Sequence, residues 1–191
     1  MLVDVKADLL AYLNEGRDAL LFKLDGASEY DVRRPLVPTG TNLLGLVKHM
    51  AGVESGYFGA TFGRPFEHLP WIDADDAAEN ADMWATAEES RDAIVGLYRR
   101  VQAHANATID ALELNAVGEV PWWGPDRRTV TLHRVLVHVT AEVHRHAGHA
   151  DILRELVDGA VGRRAPGDNL PADYEWGEYH DRLESVAQQF R

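Results

Sequence analysis

The chain contains no cysteine. A disulfide framework, a thiolate metal site and a cysteine nucleophile are therefore excluded, and any sulfur chemistry must come from a partner molecule. Long apolar runs are also missing: no stretch approaches the roughly 20 residues needed to span a bilayer. The opening MLVDVKADLL carries two aspartates where a secretory leader would need a basic and then an apolar segment. Concentrated positive charge is lacking as well. The formal charge is −12, and the arginine pairs at 33–34, 99–100, 127–128 and 163–164 are scattered. Nucleic-acid phosphates would be repelled by such a surface. The expectation is a protein of the cytoplasm without nucleic-acid or membrane partners.

What is present is ordinary globular material. Of 191 residues, 46% are hydrophobic and 26% charged, enough to build one real core. Hydrophobic spacing predicts helices over about 3–24, 42–62, 84–114 and 129–157, and a short amphipathic helix over 174–190. Pro35, Pro38 and Gly40 separate the first two helices, and Gly63 and Pro65 end the second. Residues 66–82 read as a long acidic crossover, solvated and at most a weak surface cation site from Asp73 to Asp82. Strand alternation is absent. The fold class expected is all-α: a four-helix bundle with a long crossover between the second and third helices. One domain over 1–191 is expected, its tail from about 160 packing on the bundle.

Chemistry concentrates on the fourth helix. At about 100° per residue, Leu132, Val135, Leu136, Val139, Val143, Ala150, Leu153 and Val157 fall in one arc roughly 100° wide. His146 lies inside that arc and Glu142 at its edge, with His138 and His149 further round on the same side. His133, His144 and Asp151 are expected to face solvent. Glu142 and His146, four apart, project side by side. A carboxylate on a core face needs a compensating charge or several hydrogen bonds. The pair is thus an ion pair, part of a hydrogen-bond network that fixes register, or half of a metal site. The second helix offers a third candidate, His49, one turn from Leu46 and Val53 on the side that carries Met50 and Tyr57. Two imidazoles and a carboxylate with an open position suit catalytic zinc.

Two stretches carry a family resemblance. Thr41-Asn-Leu-Leu-Gly-Leu-Val-Lys-His49-Met-Ala-Gly-Val-Glu54 resembles the second helix of the DinB-like superfamily. His138-Val-Thr-Ala-Glu142-Val-His-Arg-His146-Ala-Gly-His149-Ala-Asp151-Ile-Leu-Arg-Glu155 resembles its fourth. The resemblance implies a DinB-like bundle with a metal triad carried over to His49, Glu142 and His146. Glu-x-x-x-His in place of the commoner His-x-x-x-His resembles the mycothiol-dependent maleylpyruvate isomerases. The implied cofactor is a divalent ion, zinc by preference, with nickel or another divalent ion as alternatives. The implied partners are a small-molecule thiol of the mycothiol type and an electrophilic substrate, in an S-transferase or detoxification reaction. A metal-dependent hydrolase and a non-enzymatic metal-binding interaction protein are the alternative readings. The oligomeric state is left open, a homodimer included. Trp122 and Trp123, in the loop before the fourth helix, either cap the core or overhang a cosubstrate pocket at that end of the bundle.

Overall fold

The structure is a computed structural model that describes residues 4–73, 78–171 and 173–191. Four long helices dominate it: α1 (Val5–Phe22), α3 (Leu43–Phe58), α5 (Arg91–Ala111) and α6 (Leu132–Asp158). Short helices α2 (Glu29–Arg33) and α4 (Pro70–Asp73) interrupt the connections, and α7 (Trp176–Ala187) follows the bundle. The expected all-α bundle with a long connection between its second and third long helices is what the chain forms.

Each long helix starts where a short polar side chain can accept a free backbone N–H. Asp4 caps α1, Asn42 caps α3, Ser90 caps α5 and Thr131 caps α6. Helix α6 ends at Gly159, whose φ of 72° provides the left-handed cap that a side chain would resist. Helix α3 is the centre of the bundle. Of its 16 residues 13 are buried, so it is covered on nearly every side rather than along one stripe. It packs against α5 and α6, while α1 packs against α6. Leu20, Leu46, Met50, Tyr98, Ile109, Leu136 and Val139 are fully buried where these helices meet.

Several boundaries differ from the sequence expectation. The third long helix begins at Arg91, because residues 84–90 belong to the crossover and Ser90 supplies the cap. The second ends at Phe58, and Ala60–Phe62 is a 3-10 turn. A short hairpin was not foreseen: β1 (Val117–Glu119) pairs antiparallel with β2 (Thr129–Thr131), Gly118 opposite Val130. Strands of three residues are too short to show alternation, so their pairing is a tertiary result. Helix α7 has no buried residue.

Candidate metal centre

Helices α3 and α6 place the chemistry. The rings of His49 and His146 meet edge to face, their centroids 4.9 Å apart. One turn back along α6, the Glu142 Oε1 lies 3.2 Å from His146 Nε2. One donor atom from each of His49, Glu142 and His146 lies within 4.8 Å of the other two. The structure therefore brings together the three residues singled out from the helical wheel. His146 is buried, whereas Glu142 and His49 remain partly exposed at the wall of a cavity.

Electrostatics favour a neutral His146. Burial, and then the neighbouring His49, hold its imidazole below the usual histidine range against the raising pull of Glu142. A neutral ring keeps a lone pair for a cation. Its other nitrogen, Nδ1, stands 3.4 Å from His149 Nδ1, which anchors the ring from behind.

His49 is oriented by a residue that periodicity missed. Its Nδ1 lies 2.6 Å from Asp82 Oδ2. An ionised carboxylate only accepts, so Nδ1 carries a proton, and in the neutral imidazole that leaves the Nε2 lone pair for the site. Asp82 was expected on a solvated acidic loop. Of that stretch, residues 74–77 and the side chain of Asp73 lie outside the described residues, but Asp82 is held in place by α3. The Asn42 amide donates to the Met83 carbonyl at 3.1 Å, and Lys48 donates to the Trp84 carbonyl at 3.0 Å. A β-carbon on Gly45 would sit 1.9 Å from the Met83 oxygen, so only glycine lets the crossover lie this close to the helix. No local pattern could have shown this contact. Asp82→Ala is expected to weaken zinc binding by roughly 10–100-fold while the helices persist. Unchanged affinity in a chelator competition would remove Asp82 from the site.

The remaining histidines divide unevenly. His133 is exposed, as expected. His144 does not face open solvent: its Nε2 donates to the Tyr12 carbonyl at 2.9 Å, beside Gly16. Asp151, likewise expected in solvent, reaches Lys23 at 2.7 Å while staying about half exposed. The reason is that α6 packs on α1 as well as α3, so more than one arc of it is covered.

The cavity beside the triad encloses about 620 Å³. His49, Glu142, His138, Tyr57, Ile72 and Trp122 line it. Trp122 lies against Gly56 of α3, where a β-carbon would come 2.7 Å from the indole. The Trp122 indole thus forms a wall of the space next to the triad, whereas Trp123 is not among the residues that line it.

A family model described as mycothiol-S-transferase matches residues 8–159. The chain belongs to that family. It is a DinB-like family, in agreement with the resemblance carried by the second and fourth long helices. The mycothiol-S-transferase match starts in the first turn of α1, covers the other three long helices and all three residues of the cluster, and stops just past the end of α6. The fold is also similar to that of a conserved protein of Enterococcus faecalis known from a crystal structure, with a TM-score of 0.59. The two chains are 18% identical over 83% of this one and 99% of the other, which shows a common fold. No curated protein matches the chain. No helix among the described residues is long and apolar enough to cross a membrane.

The donor set fits a divalent cation. Two imidazoles and one carboxylate are ligands that zinc accepts, and three protein donors leave a position for an exchangeable partner. The Asp82–His49 and His149–His146 contacts supply the outer hydrogen bonds that orient ligating histidines.

Proposed function

We propose that this protein is a metal-dependent thiol S-transferase, with His49, Glu142 and His146 as the ligands of a divalent ion, zinc by preference. The observation that carries the reading is the convergence of these three donors on the wall of a cavity of about 620 Å³ in a member of the mycothiol-S-transferase family. Bound there, the cation would lower the pKa of a cosubstrate thiol, so that sulfur reacts as thiolate at neutral pH. The chain's own residues do the rest. His49 and His146 present ring nitrogens, Glu142 offsets cation charge, and Ile72 and Trp122 give the cavity an apolar wall. The cosubstrate is a small thiol of the mycothiol type and the second substrate an electrophile. A reducing compartment, the cytoplasm, keeps such a thiol reduced.

Cobalt substitution tests this directly. Sulfur on Co²⁺ gives a charge-transfer band in the near ultraviolet that nitrogen and oxygen ligands do not. With no cysteine in the chain, a band that grows as mycothiol is titrated must come from the added thiol. Cobalt that stays bound without any such band would defeat the S-transferase reading and favour the hydrolase.

A further inference from the structure

The far end of the same cavity holds a second polar cluster. Trp123 Nε1 donates to the Tyr57 hydroxyl oxygen at 3.1 Å. His138 Nε2 lies 3.1 Å from that same oxygen. The four rings around it are packed closely: Tyr57 is centred 4.8 Å from His138, 5.1 Å from Trp122 and 6.0 Å from Trp123. Tyr57 is buried but lines the cavity, as does His138. A phenolic oxygen has two lone pairs, and an indole nitrogen can only donate. With His138 carrying its proton on Nε2, both lone pairs accept N–H groups and the hydroxyl proton is left to point into the cavity. Arg134 and Arg127, 5.1 and 5.4 Å from the Trp123 ring centroid, add positive charge around this corner.

The spacing from the triad is informative. His49 meets His146, and Tyr57 meets His138, eight residues on along α3 and eight back along α6. The two contacts therefore lie about 12 Å apart along antiparallel helices, with Glu142 halfway. That gap is too long for Tyr57 to reach a sulfur held by the triad. It is long enough for a small electrophile to lie between, with its reacting carbon toward the triad and its departing atom toward Tyr57.

We infer that Tyr57, held by Trp123 and His138, is the proton donor to the departing atom of the electrophile, and that the cavity is built for electrophiles whose departing atom is oxygen, such as epoxides. The inference rests on the S-transferase reading. In the step, the thiolate sulfur uses a lone pair to form the S–C bond. The C–O bond breaks, oxygen keeps its electron pair, and that oxygen takes the Tyr57 hydroxyl proton. The resulting phenolate is stabilised by the two N–H donors and regains a proton from water. The proton that the thiol lost on ionisation has gone to water, so protons balance. Oxygen needs this help because an alkoxide is a poor leaving group, whereas chloride departs without a proton.

The test compares mycothiol transfer to styrene oxide and to benzyl chloride, in the metal-loaded full-length protein. The wild type is expected to turn over both. In Tyr57→Phe the ratio of kcat/KM for the epoxide to that for the chloride should fall by roughly a hundredfold or more, in the range general acid catalysis supplies. His138→Leu, which removes one supporting donor, should lower the same ratio, and His138→Gln, which restores an N–H, should recover part of it. A merely structural role would depress both substrates together, so a ratio within threefold of wild type in metal-loaded Tyr57→Phe overturns the inference. Should Tyr57→Phe fail to fold, the His138→Leu and His138→Gln pair decides by the same ratio. A wild type active on the chloride alone overturns it too, leaving the S-transferase reading in place. A wild type that transfers to neither substrate overturns both.

Discussion

Glu54→Ala is expected to destabilise the protein by about 3–5 kcal/mol, the largest effect of any single substitution considered, although Glu54 touches no substrate. Its carboxylate is fully buried and faces Arg17, which is 2% exposed. Arg17 Nε donates to both carboxylate oxygens at 3.1 Å, and the Tyr98 hydroxyl donates to Oε1 at 2.8 Å. The other side of the guanidinium donates to Asn14 at 2.7 Å and to Asn106 at 2.8 Å. One network thus ties α1, α3 and α5 together. Burial, and then the charge of Glu54, push the Tyr98 phenol well above its usual value, so it stays a donor. Removing Glu54 leaves a guanidinium in the core without its counter-ion, and the cost is desolvation rather than a lost contact. The double substitution Arg17→Met with Glu54→Leu should therefore recover most of the loss. Urea denaturation of the three variants checks this. A Glu54→Ala protein within 1 kcal/mol of wild type would show that water reaches the pair.

Loss of the metal is the second large expectation. His49→Ala, Glu142→Ala and His146→Ala should each weaken zinc binding by roughly a hundredfold or more, since even the outer partners of such ligands are worth about 10–100-fold. His133→Ala should leave zinc content unchanged, because that ring is exposed on another side of α6. His144→Ala should keep the metal yet lose about 1 kcal/mol of stability with its bond to the Tyr12 carbonyl. Chelation of the wild type should act in the same direction. At a hundredfold excess over Kd the ion adds about 2.7 kcal/mol to the native state, and its removal should lower Tm by roughly 5–10 °C. Helical circular dichroism should survive, since Leu46, Met50, Val139 and Val143 stay packed without the ion. Metal analysis after dialysis, with melting curves on the same samples, reads all of these. Full zinc content in Glu142→Ala would remove that carboxylate from the ligand set.

The long helices and the pairing of Glu142 with His146 were legible in the chain itself. Each depends on a repeat of 3.6 residues, on a short polar cap or on a proline, and all of these act within a few residues. The same local logic placed His49 on the inner side of α3 beside Met50. It also marked Trp122, because a loop that precedes a helix is confined to that helix's end. Local pattern could not give the partner of His49. Asp82 lies 33 residues away, and its approach depends on Gly45 leaving room for the Met83 carbonyl and on the Asn42 amide donating to it. Nor could a wheel show that α6 is covered on two sides, which is why His144 and Asp151 find partners in α1 and at its C-terminal cap rather than water alone. The hairpin over 117–131 and the meeting of Tyr57, His138 and Trp123 belong to the same class. Sequence by itself determined the helices and which face of each is apolar, because helix periodicity is a local property of covalent geometry. Tertiary structure alone decided which polar groups meet across those faces, because that depends on how the helices pack and on where the loops between them can lie.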